Sequence, residues 1–359
     1  DMALNLVNHE PGLLGTGDSE HLPFQPVVCM AMIAFLRACL ASDCKGASVN
    51  VSTHLLQLID GAPDALDAYE GLLRNMFVSS ANSELQRSVS LALDEYLIAL
   101  PGDCPRRASF ADPAVASWLR RWVLHTTDES TQEALALALG ASAHGADDAT
   151  ADRLADGLLK VSANASEGIG ERYGATVAVG VLLSQTINKE SAGKDRFLLS
   201  PERRGTLAAG LFKCVSIEKH EAVRRALCLA LGRAGEVDPL PLALGEFASD
   251  AADPPADGAA PEPAEAETAP TRHGVISAVV SILEDPKAKG KLASLAASAL
   301  GQMCVGDRSE EAVRMCQAAL LRTPTTMQQV GDRGFEDQFV VGKALVRVAA
   351  GMDRMIEAE

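Results

Sequence analysis

Apolar and small residues along this chain recur with the spacing of one helix face, in several copies of a single pattern. The clearest copy ends in Gly232. Val223, Ala226, Leu227, Ala230 and Leu231 hold the i, i+3, i+4, i+7 and i+8 positions of a buried stripe. The same register returns at Leu292, Leu295, Ala296, Ala299 and Leu300 before Gly301, and at Thr131, Ala134, Leu135, Ala138 and Leu139 before Gly140. Looser copies are Leu85, Ser88, Val89, Ala92 and Leu93, with Asp94 in the glycine position, and Gly174, Ala175, Ala178 and Val179 before Gly180. The pattern predicts helices at 26–42, 51–59, 63–79, 82–100, 129–143, 149–163, 168–188, 201–217 and 221–234. A further helix opens at Asp112-Pro113 and carries Trp118 and Trp122, and others follow at 274–284, 288–305, 309–322 and 335–355. Thr323-Pro324-Thr325-Thr326 and Gly331-Asp332-Arg333-Gly334 read as the last connecting loops. No run alternates with period two for long enough to predict a strand.

Copies spaced by roughly 40–50 residues point to paired or tripled helices in an array. The predicted fold is therefore all-α, a HEAT/armadillo-like α-solenoid of stacked antiparallel helix pairs. One pair cannot bury its apolar stripe alone, so neighbours share a continuous core. The glycine closing each copy has two candidate reasons. It could take the left-handed turn that stops a helix, or it could let helix axes approach closely. The expected organisation is an irregular segment over 1–25, repeats over 26–249, an insertion over 250–270, and repeats again over 271–359. The insertion is rich in Asp, Glu, Pro and Ala without Lys or Arg, a composition that stays disordered. Loop closure costs little more as loops lengthen, so a repeat tolerates it.

Composition narrows the partners. Aromatics are only 4% of the 359 residues, so the helices are expected to pack through small and branched aliphatic side chains. A net charge of −16 opposes nucleic-acid binding, and a protein partner is expected instead. The Arg doublets 106–107, 120–121, 203–204 and 224–225 are read as pairing with acids on adjacent helices; the alternative is a basic ladder that meets an acidic partner. The cysteines at 29, 39, 44, 104, 214, 228, 304 and 316 lack paired spacing and read as reduced packing residues of a cytoplasmic protein. No apolar stretch approaches the ~20 residues of a membrane span, so direct membrane insertion is not expected. The opening Asp1-Met2-Ala3-Leu4 is not a signal peptide and suggests part of a longer protein.

The search for chemistry yields no nucleophile with its base, no carboxylate pair and no metal set. The chain is expected not to be an enzyme, with no catalytic residue, no cofactor and no metal; no interface residue can be named from the sequence. Lys219-His220-Glu221-Ala222-Val223 resembles one His-Glu copy of the HEAT-like deoxyhypusine hydroxylases, which bind iron through several such pairs. His9-Glu10 lies in the irregular start, and one pair cannot fill an iron coordination sphere, so an iron-dependent hydroxylase is a distant alternative. Gly12–Gly17 and Gly168–Gly174 only imitate phosphate loops, and Cys39, Cys44 and His54 lack a fourth zinc ligand. Trp118 and Trp122, four apart, are expected to be core, or an interface anchor if exposed.

Three segments carry a more particular likeness: Glu171–Gly180 (ERYGATVAVG), Ala297–Gly306 (ASALGQMCVG) and Glu336–Leu345 (EDQFVVGKAL). In order and spacing they resemble the central HEAT region of the very long proteasome adaptor and scaffold proteins. Lys343 stands where that pattern carries an acidic residue, and the insertion at 250–270 is a second departure. The resemblance implies a scaffold that binds the 26S proteasome, bridging its core and regulatory particles, in the cytoplasm and also the nucleus. A HEAT-repeat transport or trafficking adaptor for other protein partners is the alternative within the same class.

Overall fold

The computed structural model of the chain describes residues 63–79, 81–100, 105–112, 117–144, 146–187, 196–237, 240–244, 270–285, 287–288, 290–306, 309–329 and 341–350. The irregular start, the helices expected at 26–42 and 51–59, Cys29, Cys39, Cys44, Cys104 and all of the insertion except Pro270 lie outside them. The described helices are α1 (Pro63–Ser79), α2 (Ser83–Ala99), α3 (Pro105–Ala111), α4 (Ser117–His125), α5 (Glu129–Ala143), α6 (Asp148–Ala163), α7 (Ile169–Ser184), α8 (Pro201–Ile217), α9 (Glu221–Val237), α10 (Arg272–Glu284), α11 (Lys291–Gly306), α12 (Glu310–Gln329) and α13 (341–350). Two short strands, β1 (Thr186–Ile187) and β2 (Arg196–Phe197), complete the set. The fold is all-α, of stacked helices of the armadillo/HEAT kind. Contacts divide the chain into two compact units, 1–154 and 155–359.

Helix starts follow from capping chemistry. The Asn82 side chain accepts from the Glu84 amide at 2.9 Å, Asp128 from the Thr131 amide at 2.8 Å, and Ser200 from the Arg203 amide at 3.2 Å. Each satisfies a donor that the first helical turn leaves without a partner. Pro201 adds the fixed φ that opens α8.

In the first unit α2 packs on α5, with α1 against α2 and with α3 and α4 against α5. Aromatic rings fill the joins. Phe77 of α1 stacks on Trp122 of α4 at 3.9 Å between centroids, Trp122 meets Trp118 edge-on at 4.6 Å, and Trp118 meets Phe110 of α3 at 5.5 Å. Tyr69 and Tyr96 form a second pair at 5.3 Å.

In the second unit two rows of helices are laid side by side. One row is α7 on α9 and α9 on α11; the other is α8 on α10 and α10 on α12. The rows touch through α7–α8, α8–α9, α10–α11 and α11–α12, so the main contacts of each helix are with near neighbours in sequence. That is the contact pattern of a repeat array.

Here the expected role of the glycines is corrected. Gly140, Gly180, Gly232 and Gly301 do not stop their helices, which run on to Ala143, Ser184, Val237 and Gly306. Among the described residues the one glycine with positive φ is Gly290. The reason that survives is close approach. A methyl at Gly180 would land on the Cα of Ala230, one at Gly232 would come within 2.9 Å of the Ala299 Cα, and one at Gly301 within 2.8 Å of the Ala344 Cα.

Other departures are local. The helix expected over 168–188 ends at Ser184, because Thr186–Ile187 pair antiparallel with Arg196–Phe197. A two-residue ladder is too short to leave an alternating pattern. Helix α3 precedes the one expected from Asp112-Pro113. Helix α12 continues through Pro324 to Gln329 where a loop was expected; proline keeps a helical φ and removes one donor. The insertion's two flanks are neighbours: Ala243 bridges to Thr271, and the Arg272 amide donates to the Ala243 carbonyl at 2.9 Å.

Candidate protein-binding groove

Helix α11 turns Leu292, Ala293, Ala296, Ala299, Leu300 and Met303 into the core. Its other face carries Lys291, Leu295, Ser298 and Gln302, which successive turns bring into one line. Beside it α13 buries Val341, Ala344 and Val348 and offers Lys343 and Arg347 one turn apart. The close approach of Gly301 and Ala344 fixes the distance between the helices, and an open groove of about 310 Å³ lies along them.

Among the described residues three cations line this groove, Lys291, Lys343 and Arg347, and no carboxylate does. Glu236 of α9 stands behind it. It accepts from the Gln302 side-chain amide at 2.9 Å and pairs with Arg347 at 3.5 Å. This holds Arg347 and Gln302 in place, and Lys291 and Lys343 are both exposed. Among the described residues Lys343 has no ion-pair partner. Small floor groups (Ser298 and the half-buried Ser294) leave room for a chain to descend between the helices.

A second concavity, about 380 Å³, lies in the first unit between Phe77, Val78, Arg121, Trp122 and His125. Its aromatic wall already serves the core, because one face of Trp122 stacks on Phe77 and the edge of Trp118 meets it. The tryptophan pair packs against neighbouring rings but is not core as expected: each ring is half-buried, with the guanidinium of Arg74 5.3 Å from the Trp118 centroid.

The arginine doublets split in a way the sequence does not announce. Three of the four first members pair with acids as expected: Arg106 with Asp67 at 2.7 Å and Glu70 at 3.0 Å, Arg203 with Asp156, and Arg224 with Asp285 at 3.3 Å. Two second members turn into the core. Arg107, 6% exposed, donates from Nε to the Ala141 carbonyl at 2.9 Å and from Nη1 to the Leu100 carbonyl at 3.0 Å. Arg204, 2% exposed, donates to the Leu183 carbonyl at 3.2 Å and lies 3.5 Å above the Phe197 ring centroid. Both supply donors and positive charge where a helix C-terminus lacks them. The sign of this role is an Arg two or three residues after the proline that opens a helix. Arg225 instead pairs along its own helix with Glu221 at 2.8 Å.

The remaining sequence candidates fall apart spatially. His220 is exposed at the start of α9, its carbonyl accepting from the Arg224 amide at 3.0 Å, while Glu221 faces Arg225. Gly168 caps α7, its amide donating to Glu171 at 3.2 Å. Among the described residues no three His, Cys, Asp or Glu side chains converge on a metal-sized site, and no helix is long and apolar enough to cross a membrane. Cys214, Cys228, Cys304 and Cys316 are free thiols, all buried; burial pushes Cys228 up to about 12, far from a reactive thiolate.

No family model matches the chain. No curated protein matches it. Among solved structures it is similar to an engineered protein of the Northeast Structural Genomics Consortium, 17% identical over 78% of this chain and 97% of that one, with a TM-score of 0.36. A second engineered protein from the same consortium is 14% identical over 77% and 98%, with a TM-score of 0.38. A designed armadillo repeat protein in complex with the peptide (KR)4 is 15% identical over 77% and 98%, with a TM-score of 0.37. At these scores the fold is read from the helix contacts themselves.

Proposed function

We propose that this chain is a non-catalytic helical-repeat scaffold that binds protein partners on the exposed faces of its stacked helices. The observation that carries this reading is the repeated glycine–alanine approach at Gly180–Ala230, Gly232–Ala299 and Gly301–Ala344. It sets α7, α9, α11 and α13 in one row at close spacing, and a row of parallel side-chain ladders offers many modest contacts that sum.

The finer reading is a proteasome scaffold, acting in the cytoplasm and nucleus, that bridges the core and regulatory particles. It is supported by the three segments resembling the proteasome adaptor and scaffold family. Two of them lie in α7 and α11, and the described part of the third opens α13. Affinity capture from cell extract followed by mass spectrometry tests it. Recovery of proteasome core subunits and regulatory ATPases is expected. Small GTPases or transport cargo in their place would select the trafficking-adaptor reading, and stoichiometric iron on the purified chain would overturn the non-catalytic one.

A further inference from the structure

We infer that the groove between α11 and α13 is a docking site for an extended acidic peptide segment of a partner protein. This rests on the scaffold reading and names the chemistry of one of its contacts. Charge complementarity carries it. The whole chain has a net charge of −16, yet among the described residues this groove is lined by three cations and no carboxylate. A basic groove on an acidic protein is not a by-product of composition. Lys291 stands on one wall, and Lys343 and Arg347 stand one turn apart on the other, so an extended chain whose alternate carboxylates share the face turned into the groove presents them to these cations. Between the walls Ser298 and Gln302 offer a hydroxyl and an amide to peptide backbone groups, and Leu295 offers an apolar contact. Glu236 holds Arg347 at 3.5 Å, which presets the guanidinium at the rim. A groove of about 310 Å³ takes a few extended residues and not a whole helix.

Single-stranded nucleic acid fits less well. Such sites stack bases on aromatic rings, and among the described residues none lines this groove. Three cations would also neutralise few phosphates in an otherwise repelling field.

The test uses the full chain and a short fluorescent peptide of alternating Glu and Ser, read by anisotropy. Saturable binding is expected, weakened by salt and weakened about tenfold or more in the Lys291→Glu/Lys343→Glu variant. Both lysines are exposed, so the variant keeps its helical circular dichroism; a milder Lys291→Gln/Lys343→Gln variant falls between the two. Absence of binding, equal binding by the charge-reversed variant, or equal affinity for a Gln-Ser peptide would overturn the inference. Tighter binding of single-stranded RNA at the same lysines would transfer the groove to nucleic acid and overturn it too. So would a rise in peptide affinity on deleting residues 250–270, which would make the chain's own acidic insertion the occupant. Captured partners separate the two levels. If wild type and charge-reversed variant retain the same partners while the peptide fails to bind, the groove assignment falls and the scaffold stands. If the wild type captures none, the scaffold reading falls.

Discussion

The two units answer the same packing problem with opposite materials. In the first, Phe77, Phe110, Trp118 and Trp122 are wedged between helices, and ring faces and edges set the spacing. In the second, Gly180, Gly232 and Gly301 remove side chains where helices cross, and the backbones of Ala230, Ala299 and Ala344 come in behind them. The position that holds glycine in every copy of the second unit holds Asp94 in one copy of the first unit and Gly140 in the other. A joint built on volume fails when volume is removed, and a joint built on its absence fails when volume is added.

The largest effect should come from Gly180→Val. Its Cβ would meet backbone, which cannot rotate away as a side chain can. A loss of about 3 kcal/mol or more is expected. Urea unfolding followed by alkylation of Cys228, fully buried in α9, reads it directly. A wild-type midpoint would show that the helices can slide apart freely and would break the comparison. Trp122→Ala is the converse change. It removes a ring stacked at 3.9 Å on Phe77 and should cost about 3 kcal/mol, with Trp122→Phe recovering most of it. If Trp122→Ala is silent while Gly180→Val is not, the first unit is held by its aliphatic core and the rings only fill space.

Much of this was legible beforehand, for identifiable reasons. The helices at 63–79, 129–143 and 201–217 fall where periodicity, caps and Pro201 place them, because those signals act within a few residues. The glycines were visible as a recurrent position, but a sequence cannot say whether a glycine is there for φ or for a neighbour. Only Ala230, Ala299 and Ala344 decide it, and each lies on another helix. The inward turn of Arg107 and Arg204 was hidden for the same reason, since the carbonyls they reach belong to the ends of other helices. The groove was least legible. Lys291 and Lys343 are far apart in sequence and meet only because α11 and α13 pack together; the unexpected Lys343 was its single trace.

A pH effect sharpens the contrast at the glycine position. Burial pushes the Asp94 carboxyl up to about 6 from its ordinary 3.8; adjacent Glu95 adds to this, and Arg107 opposes it. A folded-state value above the unfolded one means that the folded chain holds the proton more tightly. The stabilisation is complete below the unfolded value and is lost as pH rises through about 6. The first unit should therefore lose about 1 kcal/mol between about pH 5 and about pH 7 through this group. Asp94→Asn should flatten that slope in tryptophan-monitored unfolding, since both tryptophans lie in the first unit. An unchanged slope would mean that the carboxyl sees water as freely as in the unfolded chain.

The smallest effects belong to ion pairs, and they test whether close approach or charge holds the second unit. Both terminal nitrogens of Arg224 on α9 lie 3.3 Å from one oxygen of Asp285 at the end of α10, and the two side chains are mostly covered. The Arg314–Glu310 pair lies along α12 with both side chains more than half exposed. Arg224→Gln should cost about 1 kcal/mol and Arg314→Gln should be unmeasurable, because solvent screens the second pair almost completely. Asp285 is held below its ordinary range first by the backbone amide of Lys287, at 2.9 Å, and then by Arg224. Its contribution is present above the unfolded value and is lost as pH falls, and part of the depression should survive in Arg224→Gln. Carboxyl titration by NMR checks that residue, and urea midpoints compare the variants. If Arg224→Gln destabilises as much as Gly180→Val, the second unit is tied by charge across its rows, and the glycine–alanine contacts follow from that tie instead of producing the stack.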